Sequence, residues 1–180
     1  MVRRPMILLG AVVALVSACD RGATPPTGAA LPDSADQVLW GVTTNITIDG
    51  VLRIKIQADT VYSYQTSQVM DLVGVKVEFF TPDGRVSSTV TSREGTFETR
   101  SQNMEARGDV VATTPDGKRL TTDTLRYNRT AQMISGPGPF VFDGPGGEHI
   151  EGTGFTADTE FSNVRAGQPR RGRPGVGDIG

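Results

Sequence analysis

A chain of 180 residues with 18 Lys+Arg, 20 Asp+Glu, one His and one Cys has room for one domain and its appendages. A single His and a single Cys exclude Cys/His zinc sites and internal disulfides, and leave His149 as the only imidazole for a nucleophile system. The 22 Gly and 11 Pro suit a turn-rich β protein better than a helical one.

The chain opens with Arg3 and Arg4, continues through the uncharged apolar run Met6–Val16, and reaches Ser17-Ala18 just before Cys19. A positive start, a short apolar middle and small residues at the end describe a secretory signal peptide over residues 1–18. The apolar run is short for crossing roughly 30 Å of hydrocarbon. Val16-Ser17-Ala18-Cys19 resembles the bacterial lipobox, which implies that Cys19 becomes a lipidated N-terminus anchored by its acyl chains. The alternative is an uncleaved signal anchor. Residues 19–36, rich in Pro, Gly and Ala without a period, read as the lipidated Cys and a flexible tether.

The body, residues 37–165, alternates with period two. Leu52, Ile54 and Ile56 alternate with Arg53, Lys55 and Gln57; Val73, Val75, Val77 and Phe79 alternate with Gly74, Lys76 and Glu78. Shorter pairs follow at Phe97/Thr99, Leu120/Thr122, Leu125/Tyr127 and Phe140/Phe142. Only Ser67–Leu72 invites a helical turn. Asp49-Gly50, Asp83-Gly84, Asp116-Gly117, Asp143-Gly144 and Gly146-Gly147 fall between the runs as hairpin signals. Turn glycines and Asp-Thr or Gly-Thr strand starts return about every 30 residues, the mark of stacked β units. The expectation is an all-β sandwich or barrel-like fold. Residues 166–180 carry three Arg against one Asp and almost nothing apolar, and read as a disordered basic tail.

Within Gly108–Phe161, Gly108-x-Val110 leads to Asp116-Gly117, then Leu120-Thr121-Thr122-Asp123-Thr124-Leu125-Arg126-Tyr127-Asn128, then Ile134-Ser135-Gly136-Pro137-Gly138-Pro139, then Gly152-Thr153-Gly154 before Asp158-x-x-Phe161. This resembles the LptC/LptA/OstA-like group of lipopolysaccharide-transport proteins, most of all the LptC type. The resemblance covers Gly95–Phe161 well and extends to Val73–Thr91. It implies an open antiparallel β-jellyroll of two sheets whose interior takes the acyl chains of lipid A. It implies no catalysis and no cofactor. The implied partners are lipopolysaccharide, the permease subunits of an inner-membrane ABC transporter, and the next periplasmic bridge protein, joined by edge-strand pairing. The implied place is the periplasmic face of the envelope at the inner membrane, where the lipobox adds the expectation of a lipid anchor at Cys19. Better-known members are held by an uncleaved transmembrane helix, so the lipobox here is a departure.

The alternating faces supply candidate groove residues: Ile54, Ile56, Val75, Val77, Phe79, Phe97, Leu125, Tyr127, Ile134, Phe140, Phe142 and Phe155. An ordinary sandwich core needs the same residues, and a structural envelope lipoprotein that assembles through its sheet edges is the competing reading. The span from Cys19 to Arg165 holds 13 basic and 19 acidic side chains, which argues against nucleic acid. Headgroup contacts would fall to Arg100, Arg107, Lys118, Arg119, Arg126 or Arg129. Candidate docking edges are Val38–Val42 with Ile46–Ile48 at one end and Phe155–Val164 at the other. His149 lies between Glu148 and Glu151; with no second His, it makes a poor metal or acid-base cluster.

Overall fold

The computed structural model describes residues 35–169. The signal peptide, Cys19, nearly all of the tether, and the tail from residue 170 lie outside the described residues. The described chain is all β, in nine strands: β1 Gln37–Ile48, β2 Val51–Tyr64, β3 Val69–Phe80, β4 Val86–Glu98, β5 Met104–Thr113, β6 Arg119–Asn128, β7 Met133–Asp143, β8 His149–Asp158 and β9 Arg165–Pro169. They form one sheet in chain order, each strand antiparallel to the next.

Local chemistry explains the hairpins. Asp49 and Gly50 both take positive φ (51° and 78°), the two-residue turn whose twist matches the flanking strands. Three later hairpins share one design. The amide of Thr81 bonds the carbonyl of Arg85, that of Thr114 bonds Lys118, and that of Gly144 bonds Glu148 (2.9, 3.1 and 2.8 Å). In the first two, the threonine hydroxyl also accepts the amide of Arg85 (3.2 Å) or Lys118 (3.0 Å). The sequence repeat near 30 residues is therefore one pair of strands plus this turn.

Two expectations are corrected. Ser67–Leu72 makes no helical turn: polar Gln65–Gln68 forms the β2–β3 turn and β3 begins at Val69. Met70 and Leu72 point inward two residues apart, a strand spacing. The last strand runs to Pro169, four residues into the segment expected to be tail, so Phe155–Val164 is not the terminal edge. Ala166 packs on the core and Gly167 lies against the backbone of Thr153 and Gly154. That close fit lets a Gly-rich segment order itself.

A line of irregular positions crosses the sheet. The ladders skip Gly41 opposite Asp59, Gly74 opposite Asp59 and Arg93, and Gly108-Asp109 opposite Asp123; they skip Pro137-Gly138 opposite Gly154. On each side of this line the inward residues alternate by two. Across it the step becomes three or four: Ala58 to Val61, Leu72 to Val75, Ala106 to Val110, all buried. Where the step is three, on β2 and β3, the inward face changes parity along the strand, as bulges permit. Gly74 shows why glycine is needed there: its φ is +64°, and a Cβ would run into the Asp59 carboxylate.

Along this crease the sheet folds over on itself. Phe79 of β3 and Tyr127 of β6 pack in a tilted pair with ring centroids 5.1 Å apart. Three strand spacings of about 4.8 Å would separate them in a flat sheet. The Ser88 hydroxyl of β4 donates to the carbonyl of Thr159 just past β8 (2.6 Å). The result is two facing layers made from one hydrogen-bonded sheet, where the resemblance implied two sheets.

Candidate functional site

All twelve candidate groove residues, Ile54 through Phe155, face inward and are buried in one core. The structure brings them together but divides them into two environments. From β5 to β8 the interior is closed: Val110, Leu120 and Ile134 are 0% exposed, and Phe140 packs at a tilt against Phe155 with centroids 5.1 Å apart. Between the layers at Ile56, Val75, Val77, Phe79, Leu125 and Tyr127 only about 20 Å³ remains empty. That gap is about the space of one water or less. Burial pushes the Tyr127 phenol up from its ordinary pKa.

At the β1–β4 end the layers part. An apolar cavity of about 170 Å³ lies between Val42, Thr44, Ile56 and Ala58 on one side and Val61, Met70, Leu72, Phe97 and Thr99 on the other. Val42 and Met70 are half-buried, and Thr44 and Thr99 are exposed at the mouth. Leu39 pairs with inward Val61 yet is 41% exposed, because β1 is the edge strand and no layer lies opposite it. Apart from Thr44 and Thr99 its lining is apolar, and an enclosed apolar cavity of about 150 Å³ suffices for one benzene.

Of the twelve candidates only Ile56 and Phe97 line this cavity. Val42 and Ala58, which also line the cavity, keep the parity of Ile46 and of Ile54 and Ile56. Val61, Met70 and Leu72 fall outside the alternation read from the sequence, because the crease breaks the period of two at Asp59 and Gly74. A three-residue step across a Gly or Asp that opposes another strand's Gly is the signal that finds them. Val73 shows the converse. Alternation groups it with Val75, Val77 and Phe79, but it faces out and is 41% exposed.

The exterior is polar and largely self-paired. Glu105 binds Arg126 (2.6 Å) and Arg107 (2.9 Å). The Arg126 bond, then Arg107, holds the Glu105 carboxyl below its ordinary pKa. Lys118 pairs with Asp116 (2.8 Å), while Arg100 and Arg129 donate to Gln68 and Gln102 (3.0 and 3.1 Å). These cations are engaged with neighbours rather than gathered into a headgroup clamp. A wider hollow, about 550 Å³, lies outside the sandwich along the crease and carries Asp109, Asp123 and Glu151 among Val111, Thr121 and Val141. Its carboxylates suit neither acyl chains nor phosphates. His149 bonds Asp143 through Nδ1 (2.7 Å) and Glu151 through Nε2 (3.2 Å). Those oxygens sit on opposite sides of the ring and do not converge on one point. Among the described residues no group of three His, Cys, Asp or Glu is placed to hold a metal. No described helix is long and apolar enough to cross a membrane.

Comparison with known proteins agrees with this architecture. Residues 6–165 match the family described as "Lipopolysaccharide-assembly, LptC-related". The fold is similar to that of LptH, the LptA-homologous periplasmic component of the conserved lipopolysaccharide transport device of Pseudomonas aeruginosa. The TM-score is 0.51 at 18% identity, over 64% of this chain and 82% of that one. No curated protein sequence matches. With the match spanning most of its length, the chain belongs to the LptC-related family of lipopolysaccharide-assembly proteins.

Proposed function

We propose that this chain is a non-enzymatic carrier in the cell envelope. It accepts lipopolysaccharide by its lipid A acyl chains from an inner-membrane ABC transporter and passes it to the next bridge protein. The observation that carries this reading is the largely apolar cavity between β1 and β4, with its mouth at Thr44 and Thr99. Burying one methylene contributes about 0.8 kcal/mol, so an acyl end seated there is held firmly. A cavity of about 170 Å³ takes the end of one chain; a whole lipid A requires the two layers to part further at this mouth. Edge β1, unpaired on its outer side among the described residues, borders the same mouth and suits strand addition by a partner. In this reading Cys19 carries the anchoring acyl chains at the inner membrane; the family match starts at residue 6 and so takes in the apolar segment before it.

The closed interior from β5 to β8 favours one competing reading, a scaffold that pairs through its edges and carries no lipid. Photo-crosslinkers at Met70 and Val42 in living cells separate the two. The carrier yields glycolipid adducts at both positions. A control at Ile134, 0% exposed, yields none. Partner adducts from β1 with no glycolipid at Met70 leave only the scaffold.

A further inference from the structure

The two ends of the sheet are not equivalent. At one end β1 is a long strand paired along its whole length, Gln37–Ile48. At the other, β8 spans His149–Asp158 but meets β9 only at Gly152, Thr153, Phe155 and Thr156. β9 is Arg-Ala-Gly-Gln-Pro, a composition with poor strand propensity. Of the side chains it brings to the core, Ala166 is small and only half-buried.

The register shows what β9 imitates. On β2, inward Ala58 and Val61 stand three apart across the crease and receive Val42 and Leu39 of β1. On β8, inward Gly152 and Phe155 stand three apart across the same crease and receive Pro169 and Ala166 of β9. Both added strands are antiparallel to their hosts and run in the same direction in the sheet. Both carry a glycine at the crease, Gly41 and Gly167. β9 is thus a shortened counterpart of β1, with Ala166 at the register where β1 has Leu39.

We infer that β9 is a built-in edge guard, a self-inhibiting strand that occupies the place on β8 where β1 of a second copy fits. Release of β9 opens this edge, and Leu39 and Val42 of the incoming β1 then seat beside Phe155 and Gly152. The sheet and its crease continue into the next copy. The β1 edge has no such guard among the described residues, so growth is directional and gated at one end. The guard also answers a general hazard, since an open strand edge templates aggregation. This inference rests on the proposed edge-to-edge bridging and adds its regulation.

The test uses the full chain with Thr156→Cys and Arg165→Cys, partners in the β8–β9 ladder, so that oxidation staples the guard shut. Self-association is followed by sedimentation in detergent, oxidised against reduced. A second variant ends at Val164 and is checked for native far-UV circular dichroism. A photo-crosslinker at Trp40 maps the contact in both. The oxidised staple is expected to lose head-to-tail assembly and to recover it on reduction. The truncated chain is expected to assemble at a concentration at least about tenfold lower, since an edge competent only part of the time weakens apparent affinity by that fraction. Adducts from Trp40 are expected in the Gly152–Thr156 stretch of a second copy. The guard is overturned if the stapled chain assembles as well as the reduced one, or if the folded truncated chain gains no assembly. It is equally overturned if the adducts fall elsewhere. Absence of glycolipid at Met70 strikes the carrier reading instead and leaves the guard standing.

Discussion

The two ends of the sandwich use one strand design for different purposes. From β5 to β8 the layers close on Leu120, Ile134 and Val110, none of them exposed, and the interior is solid. From β1 to β4 the same alternation leaves a cavity of about 170 Å³ with half-buried Val42 and Met70 at its mouth. The difference lies in what stands opposite. Tyr127 reaches across to Phe79 and seals the middle, whereas the outer part of β1 has no facing layer. An inward apolar residue is therefore sealed in the core at one end and borders an open cavity at the other.

The largest effect expected from this contrast is at the closed end. Ile134→Ala should cost about 3–4 kcal/mol, since the rigid site cannot collapse around the void. Met70→Ala should cost about 1 kcal/mol, because a half-buried side chain loses less transferred area. Urea unfolding monitored by circular dichroism measures both. Equal costs would mean that the ends are packed alike.

Next come the glycines that let strands and layers approach. Gly136→Ala drives a Cβ into the Phe155 ring and to 2.6 Å from the Thr124 carbonyl. Overpacking of this kind costs about 2–3 kcal/mol. Gly74→Ala meets the Asp59 side chain at a φ of +64° and should cost about 1–2 kcal/mol. Adding Asp59→Ala to Gly74→Ala should recover the steric part and leave the backbone part, a split that a double-mutant cycle reads directly.

These positions also mark where the sequence was legible. Period two, Asp-Gly turns and the thirty-residue repeat follow from local rules, and they are visible in single stretches such as Leu52–Gln57 or Thr114–Gly117. The crease is not local. Gly74 looks like one more outward residue until Asp59 of the neighbouring strand is placed against it. Parity therefore fails across it, assigning Val73 to the core and passing over Val61 and Leu72. The division of twelve apolar positions into sealed core and open cavity was likewise hidden, because it depends on which strand halves face each other. β9 was missed because a Gly/Pro/Arg composition says nothing of an edge waiting to be covered.

A smaller effect on stability, but a sharper one on function, is expected from Ala58→Leu. Ala58 lines the cavity, so added methylenes fill space already present. Stability should change by less than about 1.5 kcal/mol in either direction. Glycolipid capture at Met70 should fall about tenfold, as two methylenes of acyl burial at about 0.8 kcal/mol each are displaced. Capture that is undiminished by a filled cavity would place the acyl chains elsewhere and end the functional distinction between the two ends.

The smallest effect concerns the polar exterior of the closed end. The Asp143 bond, and secondarily Glu151, raise the pKa of His149 above its ordinary value. Its protonated form is thus favoured in the folded chain. The associated stabilisation is fully present below the ordinary pKa of 6.5 and is lost as pH rises through the raised value. Because the pair is solvent-exposed, little stability is at stake, and the observable is the titration itself. His149 is the only imidazole in the chain, so its ring protons give one resolvable NMR curve. Asp143→Asn should move that curve back toward the ordinary histidine range, and Glu151→Gln should move it less. Signals from Met70 and Val42 should stay flat over the same interval, since the imidazole lies at the β7–β8 hairpin and the cavity between β1 and β4. A concerted shift of both would couple the ends and undo the division drawn between them.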